Sequence, residues 1–254
     1  MSQYIIGDNN QSILHANIHW PIIRPNGYLP LPQNDKKYKL IVDVGVLYGS
    51  CLPCLLYQFE NVAYLGLEAH PINFGVSYAK QVRFEGMHNF KYNDVVERLA
   101  IVPLAAGNET KMVEFNENYS GSCGSILKSH NKGWWCTHSV NSFGVPMVRL
   151  DFLLQFVPAN IEFFYLKTDC EGADHLAIYG AGEYLKKFSI VTIECRPSGS
   201  QEIGDRDNVC DKNEMEALFR ANGFPISICD ASVTSQSLTH SLTATRISTI
   251  PASH

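Results

Sequence analysis

The chain is short of positive charge: 20 Lys and Arg stand against 25 Asp and Glu, for a formal charge of −5. Its one tight basic cluster, Lys36-Lys37-Tyr38-Lys39, precedes an apolar run and reads as a solvated strand entry. Neutralising nucleic-acid phosphates takes a basic face, so no nucleic-acid partner is expected. No apolar run approaches the ~18 residues of a membrane span, so no membrane partner is expected either. The opening Met1-Ser2-Gln3-Tyr4-Ile5-Ile6-Gly7-Asp8 has neither a positive segment nor a long apolar one, so it does not read as a secretory signal. Eight cysteines are scattered without a framework. They are expected as reduced thiols in a cytoplasmic protein. The glycosylation sequons Asn108-Glu109-Thr110 and Asn118-Tyr119-Ser120 are then expected to stay unused.

Two phosphate-binding signatures are missing as well. A dinucleotide fingerprint needs Gly-x-Gly-x-x-Gly, but Leu47 stands two residues after Gly45. A P-loop needs a lysine after its last glycine, and Gly49-Ser50-Cys51 has none. Cys51 and Cys54 form a Cys-x-x-Cys pair, yet no second pair completes a ligand set. They read as small core residues of a helix, and no metal is expected.

What is present is an apolar run, Leu40-Ile41-Val42-Asp43-Val44, followed by Gly45 and Gly49 with three residues between them. That pattern is a buried strand, a glycine turn and a helix, and such a turn lets backbone approach a ligand. A second run, Val62-Ala63-Tyr64-Leu65-Gly66-Leu67, ends in Glu68. An acid about 20 residues beyond the turn is placed to bind the two hydroxyls of a ribose. Without a phosphate site, the pair suits a nucleoside cofactor such as S-adenosylmethionine.

From Leu40 onward short apolar strands alternate with helical segments, which predicts a mostly parallel sheet with helices on both faces. Strands are expected near 40–44, 62–67, 100–105, 112–116, 161–168, 189–194 and 226–229. Helices are expected near 49–59, 72–82, 173–186 and 212–222. The length of 254 residues fits a single domain, 1–254. Within it, residues 1–37 carry Pro21, Pro25, Pro30 and Pro32 and read as an extension packed on a core of 38–230. The Ser/Thr-rich tail 231–254 has room for one or two more strands.

The other dense signal is Tyr165-Leu166-Lys167-Thr168-Asp169-Cys170-Glu171-Gly172-Ala173-Asp174. An aromatic strand ends in two acids, and Gly-Ala opens a helix. The two acids could orient a substrate, accept a proton or bind a cofactor's ammonium. Asp169 is the first candidate for base, positioner or cofactor contact, followed as bases by Glu171, His138 and His70. A carboxylate here could equally cap the helix or bind loop amides. Trp134 and Trp135 lie in a polar loop that suits either an acceptor platform or packing over the sheet edge.

At these motifs the chain resembles the FkbM-type S-adenosylmethionine-dependent methyltransferases, over roughly residues 40 to 225. The resemblance rests on Val42-Asp43-Val44-Gly45 with Gly49-Ser50, Leu67-Glu68-Ala69-His70-Pro71, Val102-Pro103-Leu104-Ala105-Ala106-Gly107, Val148-Arg149-Leu150-Asp151 and the Lys-x-Asp-x-Glu-Gly-Ala element. It implies a Rossmann-like class I methyltransferase fold, α/β, with a seven-stranded sheet whose last strand is antiparallel. It implies methyl transfer from S-adenosylmethionine, usually to an oxygen of a small molecule or sugar. Asp43, Gly45, Gly49 and Ser50 would lie at the cofactor's methionine end, Glu68 with Ala69 at the ribose, and Ala105 with Ala106 near the adenine. Two departures stand out. Val46-Leu47 replaces the family's frequent Ala-Asn, and Asp174 replaces a Glu. N- or carboxyl-methylation and a non-catalytic binding module remain open beside O-methylation.

Overall fold

The computed structural model describes residues 38–47, 56, 61–77, 98–118, 123–128, 139–195, 210–224, 226–231 and 240–245. Ten strands form two sheets. The main sheet holds β1 (Tyr38–Val44), β2 (Val62–Leu67), β3 (Leu99–Val102), β7 (Ile161–Thr168), β8 (Ile190–Cys195), β9 (Ile226–Ala231) and β10 (His240–Thr245). Its order is β3-β2-β1-β7-β8-β10-β9. The smaller sheet runs β4-β6-β5, from β4 (Ala105–Gly107), β5 (Lys111–Asn118) and β6 (Ser139–Arg149). In the main sheet β1, β2, β3, β7 and β8 are parallel, and β10 runs antiparallel to both neighbours. This is the class I methyltransferase architecture, with seven strands in the main sheet and the last one reversed.

β1 is central, and its apolar residues are buried on both faces, as a parallel strand covered on two sides requires. Leu40, Val42, Val44, Leu166, Val191 and Ile193 share one buried cluster with Leu150, Leu154 and Ile178 from the covering helices. Chain order reverses on either side of β1, which pairs with β2 on one edge and β7 on the other. Ligands of open α/β sheets bind at the carboxyl ends beside such a reversal. The carboxyl ends of β1, β2 and β7 are the turns around Gly45, Glu68 and Asp169.

Three local expectations are corrected. The single strand expected at 100–105 is two strands in different sheets. Pro103 centres a tight turn in which the Leu104 N–H donates to the Val102 oxygen at 2.9 Å, and the chain leaves one sheet for the other. β6 was not expected, because Gly144 and Pro146 interrupt its pattern. Pro146 is tolerated because β4 pairs only with Met147–Arg149, which leaves the other edge of β6 open at that residue. The helix expected at 173–186 is α-helical over Asp174–Ala181 and becomes a 3-10 turn over Gly182–Lys187. Gly182 adopts φ +52° at the junction.

The helix expected near 212–222 forms over Lys212–Ala221. The Asp211 side chain accepts from the Glu214 N–H, and Gly223 turns the chain out at φ +79°. Residues 71–77 are helical, beginning one residue before the expected 72–82, of which 78–82 lie outside the described residues. Of the expected helix 49–59 only Leu56 is described, and the extension 1–37 lies outside the described residues, as do the Trp134-Trp135 loop, Cys51 and Cys54. β10 sits in the segment expected as a tail, so the sheet extends beyond residue 230.

The expectation of reduced thiols fails at Cys195 and Cys210. These two are disulfide-bonded, with Cα atoms 4.8 Å apart. β8 delivers Cys195 to the carboxyl edge of the sheet, and the chain returns Cys210 to that edge just before the Lys212 helix. Cys123 is also disulfide-bonded, whereas Cys170 is free. Among the described residues, no helix is long and apolar enough to cross a membrane.

Candidate active site

The glycine turn is built by contacts that tolerate no side chain at its first position. Gly45 adopts φ +83°, and a Cβ placed on it would lie 2.1 Å from the Asp169 main-chain oxygen. The N–H groups of Gly45 and Val46 donate to the Leu67 oxygen at 2.9 and 3.3 Å, fastening the turn to β2. Leu47 follows at φ +56°, a conformation unusual for a bulky side chain. It is held from both directions. Its N–H donates to Glu68 Oε2 at 2.6 Å, and its carbonyl accepts from the Ser77 hydroxyl. An Asn, frequent here in the family, adopts this conformation more readily.

Glu68 is buried and accepts a second amide, the His70 N–H, on Oε1 at 2.8 Å. Burial pushes its carboxyl above the usual range, opposed by the His70 and Leu47 amides. A carboxylate has about four lone-pair directions, so two amides leave acceptor capacity toward the cleft, which Glu68 also lines. His70, by contrast, works for the fold. Its Nδ1 accepts from the Ile72 and Asn73 N–H groups at 3.2 and 3.3 Å, and its Nε2 lies 2.9 Å from Glu117 Oε1. It caps the 71–77 helix, and it is removed from the candidates for proton transfer.

The third wall is the end of β7. The Asp169 N–H donates to the Val44 oxygen at 3.0 Å, so the two turns are joined through main chain. The Asp169 carboxylate is half exposed, and Oδ2 lies 3.3 Å from Lys167 Nζ. Glu171 and Gly172 adopt φ +53° and +94°, and Asp174 anchors the turn from below. Asp174 Oδ1 accepts from the Thr168 hydroxyl at 2.7 Å and from the Cys170 N–H at 3.2 Å. Burial and the nearby Asp169 charge push the Asp174 carboxyl up to about 6. Burial and Asp174 push the Cys170 thiol well up too.

These turns enclose a cleft of roughly 800 Å³, counting its open mouth. Of the expected site residues, Gly45, Glu68, Ala69, Ala105, Ala106, Asp169 and Glu171 line it together. Asp43 does not. Its side chain is 0% exposed, taking the Tyr64 hydroxyl at 2.8 Å and Lys167 Nζ at 3.3 Å, and it sits behind the cleft floor. Gly49, Ser50 and His138 lie outside the described residues.

The lining also includes Asn73, Phe115, Ser125 and Ile126, none of which was given a site role from sequence. Ser125 pairs with Asn116, and its hydroxyl donates to the Cys170 oxygen at 3.3 Å, which ties the 123–128 segment to the Asp169 turn. The run Gly121-Ser122-Cys123-Gly124-Ser125 was the available signal. Gly124 leaves room for the Phe115 ring, 2.6 Å from where a Cβ would stand. Among the described residues, no three His, Cys, Asp or Glu side chains converge on a metal position.

Comparison with known proteins bears on this geometry at two levels. A family model described as the methyltransferase FkbM domain matches residues 43–226. Among solved structures, the chain is similar to methyltransferase FkbM from Methylobacillus flagellatus KT, at 14% identity and TM-score 0.48, over 82% of this chain and 43% of that one. It is similar to magnesium protoporphyrin IX methyltransferase from Synechocystis PCC 6803 with bound SAM, at 11% identity and TM-score 0.45, over 83% and 71%. It is also similar to the N-terminal domain of human METTL16 in complex with SAH, at 11% identity and TM-score 0.43, over 83% and 62%. The chain thus spans under half the length of the Methylobacillus chain. No curated protein matches. The family model carries the assignment. It covers well over half of the sequence, and the chain belongs to the methyltransferase FkbM domain family.

Proposed function

We propose that the protein methylates an oxygen of a small molecule, using S-adenosylmethionine bound across the carboxyl ends of β1, β2 and β7. The observation that carries this reading is the acid set of the cleft. Glu68, Asp169 and Glu171 line one space, with Gly45 pressed against main chain between them. A cationic nucleoside without phosphate fits such a cleft. Its ribose diol suits a carboxylate with spare lone pairs, and the ammonium of its amino-acid end suits Asp169. When bound, S-adenosylmethionine supplies an electrophilic methyl on a sulfonium.

The chain's own contribution is placement. Well-oriented reactants are worth about 7–11 kcal/mol of barrier, which makes the rigid junction of the Gly45 and Asp169 turns central. Glu68 holds the ribose. Gly45, Gly49 and Ser50 take the methionine end, and Ala69, Ala105 and Ala106 line the adenine side. Asp169 and Glu171 face the acceptor, and either accepts its proton, with His138 as a further base. The expectation of a cytoplasmic location rested in part on reduced thiols, and the Cys195–Cys210 bridge does not fit that part of the argument.

The test is a transfer screen with methyl-labelled cofactor over alcohols, sugars, phenols, amines, carboxylic acids and RNA. Label on an alcohol, sugar or phenol, lost in Asp169→Asn or Glu171→Gln, supports the proposal. Label only on amines, carboxylates or RNA overturns the O-methyl reading while keeping the family chemistry.

A further inference from the structure

Lys167 has no assigned role, yet it joins the Gly45 turn to the end of β7. It is the next-to-last residue of β7 and stands beside Asp43 of β1 in register. Side chains of laterally paired residues in parallel strands leave the same face, so the two meet inside the protein. Lys167 Nζ lies 3.3 Å from Asp43 Oδ1, 3.3 Å from Asp169 Oδ2 and 3.2 Å from the Gly45 oxygen. The ammonium donates to the Gly45 oxygen and forms ion pairs with the two carboxylates. Burial alone would lower the affinity of this amine for its proton. Asp169 and Asp43 reverse that and raise it above its ordinary value. Lys167 is therefore a permanent cation at working pH.

The arrangement is directional. Asp43 is fully buried, and the Tyr64 hydroxyl donates to its other oxygen at 2.8 Å, so that arm is anchored across three strands. Asp169 has a side chain 48% exposed and is the one carboxylate of the pair that reaches the cleft. Tyr64, Asp43 and Lys167 form a fixed post, and Asp169 is the group it orients. The same ammonium holds the Gly45 carbonyl, which sets the gap between the two turns that flank the cofactor's amino-acid end.

Resting on the S-adenosylmethionine reading, we infer that Lys167 is a positioning residue, which through Asp43, Gly45 and Asp169 fixes the site for the amino-acid end of the cofactor. It touches neither cofactor nor acceptor. A clamp that served only the fold would affect every part of the ligand alike. A positioning residue affects the part that Asp169 and Gly45 meet.

Two ligands separate these cases in calorimetry on the full chain. S-adenosylhomocysteine carries the amino-acid end, and 5′-methylthioadenosine lacks it. Lys167→Met alone leaves Asp43 buried without its cation and is liable to unfold, so the variant is Asp43→Asn with Lys167→Met, in which Tyr64 keeps an oxygen to donate to. The exposed Asp169→Asn is measured beside it. The expected result in both is a loss of about tenfold or more in affinity for S-adenosylhomocysteine, the effect of a charge-assisted contact. Affinity for 5′-methylthioadenosine should move by less than about threefold. Equal losses for both ligands, or no loss for either, overturn the positioning role. Failure of the wild-type protein to bind S-adenosylhomocysteine overturns the cofactor reading itself, and the inference with it.

Discussion

The backbones of Gly45 and Asp169 are in contact: the Asp169 carbonyl oxygen occupies the space a side chain at residue 45 would need, 2.1 Å from the position of its Cβ. The Asp169 N–H in turn donates to the Val44 oxygen at 3.0 Å. Two turns from strands more than a hundred residues apart in sequence are thus locked at the reversal point of the sheet. Gly45→Ala should therefore damage fold and site together. The left-handed φ alone disfavours alanine by about 1–2 kcal/mol, and the clash with main chain adds to it. Urea denaturation should show a loss of at least about 2 kcal/mol, with S-adenosylhomocysteine binding weakened in the folded fraction. Unchanged stability would mean that the two turns do not meet as described.

Asp174 gives the protein a predictable response to pH. Its carboxyl titrates near 6 in the fold, against an ordinary 3.8, with burial the main cause. The folded state therefore holds more protons than the unfolded chain between about pH 4 and 6, and the linkage relation makes stability fall as pH rises through that window. The full effect is on the order of 3 kcal/mol. Asp174→Asn keeps an oxygen for the Thr168 hydroxyl and the Cys170 N–H but carries no charge. It should be more stable than wild type at pH 8 and show a shallower slope between pH 4 and 6, with the buried Glu68 still contributing in the same direction. Urea midpoints for both proteins at pH 4.5 and pH 8 check this, and a slope as steep as that of wild type in the variant contradicts it.

The Cys195–Cys210 bridge closes a loop with a sequence separation of 15. In the chain-entropy account, a loop of this size contributes about 3 kcal/mol. Cys210 also donates its N–H to the Gly172 oxygen at 3.0 Å, so the bridge abuts the Asp169–Gly172 turn. Cys210→Ser, or reduction of the wild type, should lower stability by about 2–4 kcal/mol. Thiol counting under denaturing conditions, before and after reductant, reports whether the bridge is present. A variant as stable as the oxidised wild type would count against it.

Much of this was legible in the sequence, for reasons particular residues make plain. β1, β2 and β7 are buried strands with near-continuous apolar runs, and each ends in a chemically marked residue: Gly45, Glu68 or Asp169. The Lys212 helix announced its stop through Asn222-Gly223, whereas its Asp211 cap was not read from sequence. β6 was hidden because Gly144 and Pro146 break its alternation, and only the short reach of β4 makes Pro146 acceptable. Asp43 looked like a ligand contact because it precedes the glycine turn. That it is claimed instead by Tyr64 and Lys167 depends on lateral register between strands, which one sequence does not display. The disulfide was invisible for the same reason, since its partners meet only when β8 and the Lys212 helix are folded. Ser125 and Phe115 enter the cleft through the second sheet, whose pairing no local pattern foretold.

The most direct test of the central claim is a titration of the protein with S-adenosylhomocysteine, with NAD as the control. One saturable site for S-adenosylhomocysteine is predicted, with no binding of NAD. At about 100 times the dissociation constant, the ligand should stabilise the fold by about 2.7 kcal/mol and raise the melting temperature accordingly. A folded protein whose melting temperature does not move in millimolar S-adenosylhomocysteine, and which gives no heat on titration, would contradict the account.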